Sequence, residues 1–476
     1  MNFFRKLSFV YFLILASAVL LFPKAGNAIT AKQEEDLSKK GMEVVENQFE
    51  LIKDPLVVSY VNKIGNRIVS SLSTQPFNYR FYIIKADEYN AFATPAGHIF
   101  INSGLIEAMD HEEELAGILA HEIAHVVCRH ISQKIERSKK IGLATLAGIA
   151  AGVFLGAGGN ATAANAVTAG TLATGQSVAL AYSREDESQA DQLALEYLEK
   201  ARYSGTGLLT MLKKIRSKQW FGSKQFPTYL RTHPASEERM VTIDAYLEKD
   251  AKPQLKADAY EFGRAHARLV AVYGEESAAL KRFESAVNTD PGNPLAHYGY
   301  GLILARTGHR KDAVRQFQLA LEKKAFDSYI LRDLGAVYLS DGQYDSALNA
   351  LESSTDLSPS DPEGFFYLGQ TLLELEKYRD AASAFEMALD KFSNYNQANY
   401  YLGEAYSRLE RFGDAHYYLG IYYKNKSQFK NAAFHLKKAL ELIDDPDKKL
   451  AVEQILKELR KRDRLERQKK MEQQRK

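Results

Sequence analysis

The chain has 476 residues, enough for two or three domains with their own cores. Charged residues at 26% and hydrophobic ones at 45% are the balance of an ordinary soluble globular protein. A net charge of +2 speaks for no nucleic-acid or membrane-surface partner, and a single cysteine, Cys128, excludes an internal disulfide.

The N-terminus reads as a secretory signal over residues 1–28, cut after Ala28. Arg5 and Lys6 precede an uncharged apolar run from Leu7 to Phe22, and Pro23, Ala25, Gly26 and Ala28 form a small-residue cleavage zone. The apolar run is shorter than the ~20 residues of a spanning helix, which argues against an uncleaved anchor. Residues 34–49 and 55–72 follow as amphipathic helices, the second with Val57, Val58, Val61, Ile64, Ile68 and Val69 at helical spacing. Residues 78–84 alternate in Tyr79, Phe81 and Ile83 and predict a strand. Phe92 and Ile99-Phe100-Ile101 flank the turn Thr94-Pro95-Ala96-Gly97 and predict a hairpin. An open strand edge at Asn90, Ala91, Phe92 and Ala93 would accept an extended peptide by backbone hydrogen bonds, whatever its sequence.

His121-Glu122-Ile123-Ala124-His125 sits in a helical pattern. Residues four apart share a helix face, so His121 and His125 can aim two imidazoles at one zinc ion. Glu122, beside the first histidine, can take a proton from a metal-bound water. An open catalytic zinc has three protein ligands, so a third must come from elsewhere, and Cys128 as a fourth would close the site to water. The stretch 141–183 has no charged residue and is rich in Ala, Gly, Thr and Leu. Its glycines and its polar second half favour a helical pair folded on the catalytic domain over peripheral membrane contact. Glu187 and Asp191 then share a face at four-residue spacing, one carboxylate to reach the zinc and the other to orient an imidazole. His233, held on a loop by Pro234, has two uses at a zinc: it can donate to a developing oxyanion, or take the open coordination position. Arg239 would serve the oxyanion in the second case.

From Tyr260 the chain repeats. Gly301, Gly335, Gly369 and Gly403 recur every 34 residues, as do Ala279, Ala313, Ala347, Ala381 and Ala415. Gly403 to Gly420 and Ala415 to Ala432 are 17 apart, so the helix holding Ala415 closes one hairpin and opens the next. The concave face of such a stack suits a peptide or partner protein and is rich in tyrosine, among them Tyr298, Tyr367, Tyr400 and Tyr401. The charged stretch 443–476 predicts a solvated, fraying helix.

Together with Asn90-Ala91-Phe92-Ala93-Thr94-Pro95-Ala96-Gly97-His98, Ser103-Gly104-Leu105, Arg129-His130 and Thr232-His233-Pro234 with Arg239, the zinc helix resembles metallopeptidase family 48, the HtpX-type zinc endopeptidases. The departures are Ala96, where a glycine is common, and Cys128. The resemblance implies a gluzincin-type endopeptidase binding one zinc per chain through His121, His125 and Glu187, with Glu122 as general base and Asp191 holding a ligand imidazole. The fold expected is α+β, a mostly helical zincin-type (gluzincin) protease domain with a small sheet over residues 29–252. An all-α tetratricopeptide-repeat solenoid follows over 260–442. By resemblance to periplasmic members with repeats, substrates would be unfolded or misfolded envelope proteins, particularly outer-membrane β-barrels. The repeats would gather them or contact the outer-membrane assembly machinery, and His233 would act as a self-inhibitory switch. The rival expectation is an assembly chaperone or scaffold whose proteolysis is residual.

Overall fold

A computed structural model describes residues 29–137, 182–220, 228–234, 236–249, 258–393 and 395–474. The signal read at 1–28, nearly all of the uncharged stretch 141–183 and the domain boundary at 252 lie outside the described residues. The chain divides into two compact units, residues 1–266 and 267–476. Among the described residues no helix is long and apolar enough to cross a membrane.

The first unit is α+β, mostly helical with a small mixed sheet. Helix α1 (Ala31–Gln48) starts at a capping box between Thr30 and Gln33. Helix α2 (Pro55–Val69) starts where Asp54 accepts from the Val57 amide and proline fills the first turn. The expected strand is β2 (Arg80–Ile84), and the expected hairpin is β3 (Ala91–Ala93) with β4 (His98–Asn102). Strand β1 (Leu51–Ile52) has only two residues, too few to carry a period. The order is β1-β2-β4-β3, with β2 and β4 parallel and the other pairs antiparallel. Phe92 stacks on Phe100 and Phe100 on Tyr82, with ring centroids 5.0 and 4.9 Å apart.

The hairpin turn holds the alanine noted above in a left-handed backbone, Ala96 at φ 63° beside Gly97 at φ 88°. That conformation costs a residue with a Cβ about 1–2 kcal/mol, and a glycine forfeits part of the relief through chain entropy. Ala96→Gly is therefore expected to raise stability by up to roughly 1 kcal/mol, read from a urea unfolding midpoint. A lower midpoint would show that the buried methyl's packing outweighs the strain.

After α3 (Ser103–Glu107), helix α4 (Glu112–Val127) carries three glutamates in its first turn, the favourable end of its dipole. Beyond that turn it is apolar nearly all round and buried. A Cβ on Gly117 would lie 2.5 Å from the Leu208 backbone nitrogen, so α4 touches α7 (Thr206–Trp220) backbone to backbone. Helix α5 (His130–Arg137) follows a left-handed Arg129, φ 54°, that separates it from α4. Helix α6 (Arg184–Lys200) starts at a Ser183–Asp186 capping box, and α8 (Thr228–Thr232) and α9 (Glu237–Lys249) follow in the first unit.

Helices α10 (Ala259–Tyr273) and α11 (Glu276–Thr289) open a run of hairpins. These are α12 (Pro294–Arg306) with α13 (Arg310–Lys323), α14 (Ser328–Ser340) with α15 (Tyr344–Leu357), and α16 (Pro362–Glu374) with α17 (Tyr378–Lys391). Helices α18 (Asn396–Arg408), α19 (Phe412–Asn425), α20 (Phe429–Leu442) and α21 (Pro446–Gln474) follow. Each periodic glycine faces the large side chain 16 positions on: Gly301 Phe317, Gly335 Leu351, Gly369 Phe385, Gly403 Leu419 and Gly420 Leu436. A Cβ on any of them would fall within 2.9 Å of that partner. Helix α19 therefore meets α18 through Leu419 and α20 through Gly420, which is the shared helix expected from the 17-residue step.

The second unit also buries ions. Arg332, fully buried, reaches Asp361 and Glu363 at 3.0 Å and Asp333 at 3.1 Å. Arg268 bonds both Asp333 oxygens and Glu363 at 2.9 Å, and the Tyr298 hydroxyl donates to Asp333 at 2.8 Å. Tyr298 is thus a core residue, whereas Tyr400 is 41% exposed. The tail read as a solvated helix is α21. Its first turns dock because Val452 and Leu456, four apart, pack on Leu436, Ala439 and Ile443. From Arg460 onward its described side chains are exposed.

Candidate metal centre

One helical turn of α4 carries the first donors. His121 and His125 point their Nε2 atoms to within 3.1 Å of each other. The first turn of α6 delivers Glu187, whose carboxylate oxygens lie 3.5 Å from each of those nitrogens. His233, just past α8, brings Nδ1 to 3.0 Å from Glu187 Oε1 and 3.4 Å from His121 Nε2. Donor atoms of His121, His125, Glu187 and His233 all lie within 4.8 Å of one another, and all four residues are buried. The two imidazoles and the carboxylate are the nitrogen and oxygen donors a catalytic zinc takes. Both oxygens of buried Glu122 lack a hydrogen-bond partner among the described residues. Buried carboxylates are rarely left so, and this one sits where a metal-bound water would satisfy it. These residues fit zinc.

The supporting shell fixes the tautomers. His121 Nδ1 lies 3.0 Å from Asp191 Oδ1, so with a metal on Nε2 the proton stays on Nδ1, facing the carboxylate. Arg239 holds that aspartate with two parallel bonds, Nε to Oδ2 at 2.7 Å and Nη2 to Oδ1 at 2.8 Å. Its Nη1 reaches both Glu187 and the Pro234 carbonyl. Arg239 is thereby committed to the carboxylates behind the donors. On the other imidazole, His125 Nδ1 lies 2.9 Å from His130 Nδ1, and His130 Nε2 lies 3.1 Å from Gln189 Oε1. With His125 Nε2 turned to the metal position, Nδ1–H donates to His130, and His130 donates from Nε2 to Gln189.

Electrostatics follow the geometry. Burial lowers the His121 pKa, but Asp191 and Glu187 more than reverse this and hold it at about 9. Burial pushes His125 well down, leaving it neutral. Against burial, His233, Arg239 and the two ligand imidazoles hold Glu187 well below the usual carboxylate range. Asp191 is likewise lowered, against burial, by His121 and Arg239. Glu122 is raised by burial, with His233 and His121 opposing.

Of the residues read as a peptide edge, Ala91 to Ala93 form β3, the outer strand beside α4, and Asn90 immediately precedes it. Asn90 and Thr94 spend their backbone bonds on β4, through Asn90 O with Asn102 N and Thr94 N with His98 O. Ala91 and Ala93 therefore turn their N–H and C=O groups away from the sheet. All four residues from Asn90 to Ala93 are buried, and Asn90 Oδ1 has no hydrogen-bond partner among the described residues. Cys128 caps the C-terminus of α4, outside the donor set.

Three contributors had no role assigned from the sequence. His130 had a signal, five positions past His125, but its role depends on the turn at Arg129. Tyr182 stacks on His125 at 3.9 Å and Tyr229 on His233 at 4.5 Å. Neither ring belongs to a periodic pattern.

Comparison with known proteins agrees with this geometry. Residues 55–247 match peptidase family M48. Residues 274–329 and 366–428 match a tetratricopeptide repeat family, and 318–388 match the family described as anaphase-promoting complex, cyclosome, subunit 3. The chain is 27% identical over 336 residues to the beta-barrel assembly-enhancing protease of Escherichia coli (strain K12), covering 70% of this chain and 68% of that protein. It is 26% identical over 204 residues to the mitochondrial metalloendopeptidase OMA1 of Schizosaccharomyces pombe, covering 42% and 56%. The crystal structure of MamA aligns with a TM-score of 0.31 at 16% identity, covering 33% of this chain and 93% of that one.

Proposed function

Starting from a chain that carries a peptidase family M48 zinc metallopeptidase domain at residues 55–247 with tetratricopeptide repeats behind it, we propose that it hydrolyses peptide bonds in unfolded or misfolded proteins of the bacterial envelope. The reading places the chain in the periplasm, with the repeats recruiting substrates or the assembly machinery that handles them. The observation that carries the catalytic part is the buried donor set with the unpartnered Glu122 carboxylate beside it. The envelope part rests on similarity to the beta-barrel assembly-enhancing protease.

When bound, a zinc ion supplies a Lewis acid for the scissile carbonyl and lowers the pKa of a water. His121, His125 and Glu187 would hold it. Glu122 accepts the proton from the attacking water and returns it to the leaving amine. Asp191 keeps His121 in the donor tautomer, and Arg239 keeps Asp191 and Glu187 ionised and in place. Ala91 and Ala93 are buried, so their outward backbone groups would pair with an extended substrate only after the covering residues move aside, and Asn90 and Phe92 set that strand.

His233 has its Nδ1 among the donors and its Nε2 3.6 Å from Glu122 Oε1. It therefore stands between the donor set and the base, a position that favours the switch over the oxyanion role. Its tie to Glu187 would have to open for a substrate carbonyl to enter. His233→Ala is expected to increase cleavage of a disordered test protein several-fold while zinc content stays the same. A drop in cleavage at unchanged zinc would assign His233 to the oxyanion instead.

The envelope reading is tested by crosslinking in bacteria that express the Glu122→Gln chain, followed by a census of trapped proteins. Enrichment of unfolded outer-membrane and periplasmic proteins is expected. A census no different from that of a chain lacking the repeats would remove the recruiting role.

A further inference from the structure

The repeats carry a half-open cavity of about 370 Å³ far along the sequence from the metal centre. Three successive hairpins build it. Helix α14 ends at its rim with Leu339, α16 contributes Gln370, Leu373 and Glu374, and α18 contributes Tyr401, Glu404 and Arg408. Tyr344 and Tyr378, at the starts of α15 and α17, complete its walls, and Glu376 enters from the turn between α16 and α17. The size is that of a site for one or two side chains.

The charge in this cavity is unbalanced. Three carboxylates, Glu374, Glu376 and Glu404, face one guanidinium, Arg408, leaving an excess of two negative charges. Arg408 is drawn to the wall, its Cζ 5.9 Å from the centroid of the Tyr378 ring. Glu374 is engaged by Tyr344, whose phenol it pushes up in pKa. Glu376 and Glu404 have no ion-pair partner among the described residues. Three tyrosine rings stand around them, and a ring face attracts a cation as a carboxylate does. Aromatic walls, free carboxylates and room for a long side chain together define the chemistry that the cavity takes.

We propose that this cavity is a subsite for a lysine or arginine side chain of a bound polypeptide, with Glu376 and Glu404 pairing the cation and Tyr344, Tyr378 and Tyr401 flanking its stem. It rests on the reading that the repeats recruit polypeptide, and it names what they recognise. Tyr378 already holds Arg408 in the same manner, so the cavity displays on its own wall the contact it would make to a guest. A guanidinium suits it better than an ammonium, because a planar fork can bond two carboxylates while lying against a ring.

The test uses saturation-transfer NMR on the whole chain with acetyl-arginine amide, acetyl-lysine amide and acetyl-citrulline amide as probes. Citrulline keeps the shape of arginine without its charge. Transfer to the arginine side-chain protons at least five-fold above citrulline is expected, with lysine between, and raised salt should reduce it. Glu376→Gln with Glu404→Gln should abolish the difference. Both side chains lie outside the core, so this double variant should unfold at the same urea concentration as the parent. Citrulline transferring as well as arginine, no transfer to any probe, or an unchanged difference in the double variant would each overturn the subsite. The crosslinking census fails independently: trapped proteins that do not depend on the repeats would remove recruitment even where arginine still binds.

Discussion

Glu122→Gln is expected to retain its zinc and to lose cleavage of a disordered test protein by roughly 10²–10⁴-fold, the usual cost of deleting one proton-transfer group. Glutamine keeps the size of the side chain and its place behind His121, so donors, backbone and packing are unchanged. It removes only the oxygen that can carry the proton. His121→Ala, His125→Ala and Glu187→Ala differ in kind, since each deletes a donor and should lower zinc content as well. Metal analysis beside a cleavage assay separates the two classes. Cleavage near the parental rate in Glu122→Gln would mean that another group takes the proton, and the assignment of Glu122 as base would fall.

The second large effect lies in the repeats. Arg332→Ala is expected to destabilise them by roughly 3–5 kcal/mol, because it strands charges that cannot reach water. Asp333 and Glu363 would then keep Arg268, while Asp361 would lose its Arg332 partner. Urea unfolding measures the loss, and zinc content should not change. A loss below about 1 kcal/mol would show that the cluster is solvated after all. The same cluster predicts acid sensitivity. Against burial, Arg268 and Arg332 hold the Asp333 carboxyl below its ordinary value of 3.8. A depressed folded pKa contributes stability that is full above the unfolded value and is lost as pH falls through the folded one. Parent and Arg332→Ala should therefore both begin to weaken below about pH 4, but the variant, whose Asp333 is less depressed, should lose less stability on further acidification.

The catalytic turn was legible because helical geometry alone places residues four apart on one face. His121 with His125 needed nothing more, and Glu187 with Asp191 needed only a second helix. The division of labour between those carboxylates was not legible from spacing. It depends on how α6 lies against α4, which puts Glu187 at the Nε2 atoms and Asp191 at an Nδ1. Arg239 was legible as a charged residue near the site. Its partners were not, because a guanidinium can serve a substrate or a carboxylate, and only the fold decides. The repeat register was legible down to its half-step, since a glycine in one helix needs a large side chain 16 positions on. The Arg332 cluster left no trace, because one arginine and one aspartate side by side in the largely apolar α14 make no pattern and do not show which carboxylates lie opposite. Burial there comes from packing between helices distant in sequence. The tail's docking depended on just Val452 and Leu456, too short a signal to stand out of a run of charges.

The shared helix has a consequence for how the array comes apart. In a linear stack each unit holds only to its neighbours, so an end ordinarily peels away one hairpin at a time. Here α19 is the second half of one hairpin and the first half of the next, and no seam divides them. Lifting α20 away bares the Gly420 face of α19, while the Leu419 face stays wedged against α18. The C-terminal end can therefore shed α20 together with the docked turns of α21 and leave α18 and α19 as a whole hairpin, so the array comes apart at this end in a half step.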